Sequence, residues 1–133
     1  MSQAQTNILV VCHDSEIRAL IRAALEDLPV RITKECESGK GVTEAMVQNP
    51  AALVIVDLCL SGTNRLEVLK VLKKVNDGAE FILITRLRTR SAIDRAFRYG
   101  AQDVLVYPFD TDTLHHTVAH RLELLAKPGT VIQ

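Results

Sequence analysis

The feature that most limits what this chain can fold into is the stretch Ala51-Ala52-Leu53-Val54-Ile55-Val56-Asp57-Leu58-Cys59-Leu60-Ser61-Gly62. An unbroken apolar run, Leu53 to Val56, ends abruptly on one carboxylate. A short run rich in β-branched residues and bounded by Pro50 and Gly62 reads as a strand buried on both faces. Strands of that kind belong to parallel sheets, whose binding crevices lie beyond the carboxyl ends of the strands. Asp57 stands at such an end, either as a functional carboxylate or as a residue that only caps the following loop.

The rest of the chain repeats the pattern. Asn7-Ile8-Leu9-Val10-Val11, Phe81-Ile82-Leu83-Ile84-Thr85 and Val104-Leu105-Val106-Tyr107 are further apolar strands, and the alternating Val30-Arg31-Ile32-Thr33-Lys34 reads as an edge strand. Helical spacing lies between them: Ile17, Leu20, Ile21, Ala24, Leu25 and Leu28; then Val42, Ala45, Met46 and Val47; then Leu66, Leu69, Leu72 and Val75. Two more helices run through Ala92, Ile93, Ala96 and Phe97, and through Leu114, Val118, Leu122 and Leu125. Asp14 or Ser15 caps the first helix, Gly100 closes the fourth, and Asp110, Thr111 and Asp112 begin the fifth. Strands alternating with helices require right-handed crossovers. The expectation is one flavodoxin-like doubly wound (βα)5 domain over residues 7–126, with parallel strands in the order 2-1-3-4-5. Residues 1–6 and 127–133 are short tails, the second starting at Lys127-Pro128-Gly129 as a linker or as the chain's end.

Composition narrows the function. The formal net charge of +0 does not favour bulk nucleic-acid or anionic-membrane binding. No apolar run has membrane-spanning length and the N-terminus lacks a signal-peptide core, which predicts a cytoplasmic protein. Cys12, Cys36 and Cys59 form neither a CxxC pair nor a zinc spacing. Gly39-Lys40-Gly41 completes no phosphate-loop pattern. His116 and His120 sit four apart on the last helix without the Glu of a zinc-protease helix, which favours a solvated pair. No nucleophilic triad is recognisable, so no enzyme activity is expected. Arg86, Arg88, Arg90, Arg95 and Arg98 form a local basic surface on the fourth helix and the loop before it.

Taken together, Ile8-Leu9-Val10-Val11, Asp14, Glu16-Ile17-Arg18, Val56-Asp57-Leu58-Cys59-Leu60-Ser61-Gly62, Gly100-Ala101-Gln102-Asp103 and Pro108-Phe109 resemble the receiver domain of bacterial two-component response regulators, from Ile8 to about Leu125. The resemblance implies that Asp57 is the position phosphorylated by a histidine kinase and that Thr85 is the hydroxyl ending the fourth strand. It also exposes departures. The Mg²⁺-holding acidic pair falls on Cys12 and His13, the lysine on Tyr107, and the switch aromatic on Val104. Arg86 follows the hydroxyl where a small residue is usual, and Arg65 replaces a common glycine. Mg²⁺ wants oxygen ligands. Only Asp57 and the Cys59 carbonyl remain obvious, unless Asp14 reaches back, so no bound metal or other cofactor is expected. Cys12, His13, Asp57 and Cys59 could in principle take zinc or copper, but a redecorated Mg²⁺ site is the preferred reading. Arg86 has two readings: a guanidinium paired with Asp57, replacing lysine and metal, or a solvent-facing side chain alongside Arg88 and Arg90.

The expected function is thus an atypical receiver module in phosphorelay signalling. It would act by protein interaction, with weak or no Mg²⁺-dependent phosphorylation of Asp57. One alternative is a working phospho-receiver fed by a histidine kinase; another is a flavodoxin-like cofactor-binding enzyme. By resemblance, the fourth helix, fifth strand and fifth helix, with Arg88, Arg90, Arg95, Arg98 and Tyr107, form the face for a signalling partner or a second receiver.

Overall fold

The computed structural model describes residues 5–58 and 65–126, with side chains described for all of these except 65–67. The elements run β1 Thr6–Val11, α1 Ser15–Leu25, β2 Val30–Cys36, α2 Val42–Gln48, β3 Leu53–Asp57, α3 Arg65–Val75, β4 Glu80–Thr85, α4 Arg90–Arg98, β5 Asp103–Val106 and α5 Thr111–Ala126. All neighbouring strands pair in parallel, in the order β2-β1-β3-β4-β5. This is the doubly wound order expected from the alternation of elements.

Strand alternation explains both layers of the core. Leu53 and Ile55 of β3 pack with Ile8, Val10, Ile82 and Ile84 under α1 and α5. Val54 and Val56 point the other way, with Leu9, Val11, Phe81 and Leu83 under α2 and α3. Successive side chains on a strand face opposite sides, so a strand covered on both faces must be apolar at every position. In β3 all five residues are buried, Asp57 included. The two helices of the first layer also pack on each other, since Ile17, Ile21, Leu114 and Val118 share one cluster.

The edges depart from the simple pattern for local reasons. In β2 the pairing with β1 slips by one residue between Ile8 and Leu9, so that Ile32 faces Ile8 while Lys34 faces Leu9. Thr33 is the extra residue, and its hydroxyl donates to the Ile8 carbonyl at 3.3 Å. The strand then runs on to Cys36, two residues past the expected Lys34. Strand β5 is half-buried throughout, as suits the other edge. It ends at Val106, yet the Tyr107 N–H still donates to the Thr85 carbonyl at 2.8 Å, which keeps Tyr107 beside the end of β4. Gly100 has φ of 105°, a left-handed conformation that a side chain would strain, and it ends α4 where the sequence places a glycine stop. Cys59 and the Ser61-Gly62-Thr63 loop fall outside the described residues, as do the tails at 1–4 and 127–133. Among the described residues, no helix is long and apolar enough to cross a membrane.

Candidate functional site

Strand phase brings the first two site residues together. Val10 pairs with Ile55 and Val11 with Val56, so the next step up the sheet sets Cys12 beside Asp57. The Cys12 thiol donates to Asp57 Oδ2 at 3.5 Å, and to the Asp14 carbonyl at the same distance. Both side chains are about 1% exposed. A thiol is a weak donor, but here it faces a carboxylate in a buried setting.

Burial pushes the Cys12 pKa from 9.0 to about 12, and the neighbouring Asp57 carboxylate adds to the effect. The thiol is therefore protonated throughout the physiological range and is not a thiolate nucleophile. A raised folded-state pKa means that the folded protein holds this proton more tightly than the unfolded chain. Its stabilisation is complete below the unfolded value near 9 and is lost as pH rises toward 12. Urea midpoints of the parent protein should thus fall faster between pH 9 and 11 than those of Cys12→Ala, by at most about 1.4 kcal/mol per pH unit. Parallel curves would remove this role from Cys12.

Asp14 caps α1. Its Oδ1 accepts from the Glu16 and Ile17 N–H groups at 2.8 and 3.3 Å. Its Oδ2 takes the Arg86 guanidinium at 3.1 Å, across 72 residues of sequence. The capping bonds, led by that from Glu16, and the arginine hold this carboxyl below the ordinary carboxylate value. Arg86 also lies over the ring of Tyr107, 4.9 Å from its centroid, within the range of a cation–π contact. Tyr107 in turn meets Phe109 edge-on at 5.6 Å. Arg86 is exposed together with Arg88 and Arg90, its side chain 40% accessible, but it also makes contacts at the pocket. A carboxylate on one side and an aromatic face on the other draw it to the end of the sheet. Asp14, its described ion-pair partner at 3.1 Å, figures in neither of the two expected arrangements.

His13, Asp14, Ser15, Asp57 and Arg86 line one open cavity of about 330 Å³. His13 is exposed at its edge. Thr85, which precedes Arg86 in the chain, is buried, its hydroxyl oxygen accepting the Leu87 N–H at 3.1 Å. Cys59 lies outside the described residues. Sequence reasoning missed Arg18 as a builder of this site. Its guanidinium donates to the Cys12 and His13 carbonyls at 3.0 and 2.9 Å and approaches Glu35 at 3.5 Å, fixing the loop between β1 and α1. Its place one turn into the helix, four residues after the cap, was the available signal.

A Mg²⁺ ion demands an octahedron of oxygens. The position beside Asp57 holds a protonated thiol. Both oxygens of Asp14 are engaged, and the loop carbonyls are taken by Arg18. Among the described residues, no three His, Cys, Asp or Glu side chains are grouped as metal ligands. His116 and His120 are exposed on α5, and His116 Nδ1 lies 2.8 Å from the Asp112 carbonyl.

Of the basic surface, Arg86 lines this pocket. Arg88, Arg90, Arg95 and Arg98 are exposed, and only Ala96 of α4 is buried. Leu87, Phe97 and Tyr99 are exposed among these arginines, Phe97 by 46%.

The family model described as "Response regulator receiver domain" matches residues 8–119 of the chain. The chemotaxis protein CheY of Bacillus subtilis is 26% identical over 105 residues, covering 79% of this chain and 88% of CheY. The DNA-binding transcriptional regulator NtrC of Escherichia coli K12 is 30% identical over 105 residues, covering 79% of this chain but 22% of the regulator. The chain spans less than half the length of the transcriptional regulators it matches. The BeF3-activated DrrB receiver domain superposes with a TM-score of 0.78 at 24% identity, covering 90% of this chain and 98% of that domain, and so shares the fold.

Proposed function

The chain belongs to the response regulator receiver domain family, and on that premise we propose that it is an atypical receiver whose Asp57 accepts phosphate weakly or not at all by the Mg²⁺-dependent route. Its signalling role is then protein–protein interaction. The observation that supports this most is the buried Cys12 thiol donating to Asp57 Oδ2 where the family has an acidic metal ligand. Transfer of a phosphoryl group to a carboxylate concentrates negative charge, which metal and cation normally stabilise. Neither the acidic pair nor the lysine of the family is present at Cys12, His13 and Tyr107. One such electrostatic donor is worth about 3 to 4 kcal/mol in a transition state.

Incubation with acetyl phosphate and Mg²⁺, followed by intact mass, should leave Asp57 essentially unlabelled over times that saturate an ordinary receiver. Saturating incorporation of one phosphoryl group, lost in Asp57→Asn, would overturn the reading. The partner face in this proposal is α4, β5 and α5. It offers exposed Arg90, Arg95, Arg98 and Phe97 on α4, with Leu87 and Arg88 exposed in the loop before that helix, a combination suited to specific contacts. A second receiver or a histidine kinase is the class of partner that fits a phosphorelay.

A further inference from the structure

Resting on that reading of the pocket, we propose that Arg86 is its resident cation: held between Asp14 and the face of Tyr107, it keeps divalent cations out of the Asp57 cavity and ties that cavity to the end of β5. Three observations carry this. Asp14 and Asp57 are the two carboxylates lining one cavity, and Arg86 lines it with them. The guanidinium takes Asp14 Oδ2 at 3.1 Å, the oxygen that helix capping leaves over. The same guanidinium lies over Tyr107, 4.9 Å from the ring centroid, so it is held by two contacts.

The electrostatics follow from the geometry. A divalent cation entering this cavity meets the permanent positive charge of Arg86 and finds the Asp14 carboxylate engaged by it. Arginine does not deprotonate to relieve the repulsion. Removing Arg86 leaves Asp14 and Asp57 facing one cavity with no charge from position 86, an arrangement that favours a hard cation. Mutual repulsion of unit charges at this range is worth at least about tenfold in cation affinity even at a high effective dielectric. The same contact explains how the pocket is joined to the output edge. Tyr107, which Arg86 contacts, also meets Phe109 edge-on.

The test is a Mn²⁺ titration of the full chain followed by paramagnetic broadening of backbone amides near residues 14 and 57, for the parent protein, Arg86→Ala, Arg86→Lys and Arg86→Ala combined with Asp14→Asn. Arg86 is 40% exposed, so its removal leaves the core intact, and unperturbed β1 and β3 amides in the metal-free spectrum verify this. The expected result is weak binding by the parent, binding at least about tenfold tighter by Arg86→Ala, parent-like weakness in Arg86→Lys, and loss of the gain when Asp14→Asn is added. The Tyr107 ring resonances should also shift in metal-free Arg86→Ala. Equally weak binding by the parent and Arg86→Ala would overturn the exclusion role while leaving the proposed function standing. Tight binding by both the parent and Arg86→Ala would overturn both. A gain that survives Asp14→Asn would show that Asp14 is not what Arg86 withholds, and would overturn the proposal as well.

Discussion

Replacing Cys12 and His13 together with aspartate is expected to raise Mg²⁺-dependent labelling of Asp57 by acetyl phosphate by about two to three orders of magnitude. One restored electrostatic contribution of about 3 to 4 kcal/mol corresponds to that change in rate. It remains below a full receiver rate because Tyr107 stands where the family has lysine. The substitution also has a cost that can be measured independently. Cys12 is about 1% exposed and lies 3.5 Å from Asp57, so Cys12→Asp puts two carboxylates together in a buried site. Like charges at that distance resist joint ionisation, and the metal-free variant should lose a few kcal/mol of stability near neutral pH. Millimolar Mg²⁺ should return part of that loss by binding the folded state alone, whereas the parent protein should unfold at the same temperature with or without Mg²⁺. If Mg²⁺ stabilises the variant but labelling stays at the parent level, an acidic pair at positions 12 and 13 does not control phosphorylation of Asp57.

The second large effect is in the core. Phe81→Ala should cost about 3 to 5 kcal/mol, the range for truncating a fully buried aromatic. Phe81 is 0% exposed in the layer under α2 and α3. Its ring also supports the Lys73 ammonium, 5.2 Å from the centroid, while that group reaches the Ala79 carbonyl at 3.2 Å. The truncation therefore opens a cavity and loosens the tie between α3 and the start of β4. Phe97→Ala is the control, since that ring is 46% exposed on α4 and its loss should stay below about 1 kcal/mol. Urea unfolding of both variants checks the contrast. Similar losses would mean that the exposed face of α4 is packed in solution.

The fold was legible because the buried strands have no polar position to mislead. Leu53 to Val56 and Phe81 to Ile84 are apolar at every step, which only a sheet covered on both faces requires. The expected parallel order is the observed one. The extension of β2 to Cys36 was not legible, because the bulge at Thr33 reverses the alternation that marks a strand end. In the site, Cys12 beside Asp57 could have been read from strand phase alone, since both continue the Ile8-Val10 and Leu53-Ile55 faces. The partner of Arg86 could not. Asp14 lies 72 residues away in sequence, and its pairing depends on how the ends of β1 and β4 are spaced by β3. Arg18 was visible as a charge on α1, but the loop carbonyls it satisfies belong to backbone that no side-chain pattern describes.

The most direct test of the central claim is a titration with Mg²⁺ and beryllofluoride, read by the amide resonances of Asp57, Thr85, Tyr107 and α4. A retired acceptor pocket predicts no saturable shifts at millimolar ligand. Saturable shifts spreading from Asp57 through Thr85 to Tyr107 would contradict it, and would make this chain a working phospho-receiver despite Cys12 and His13.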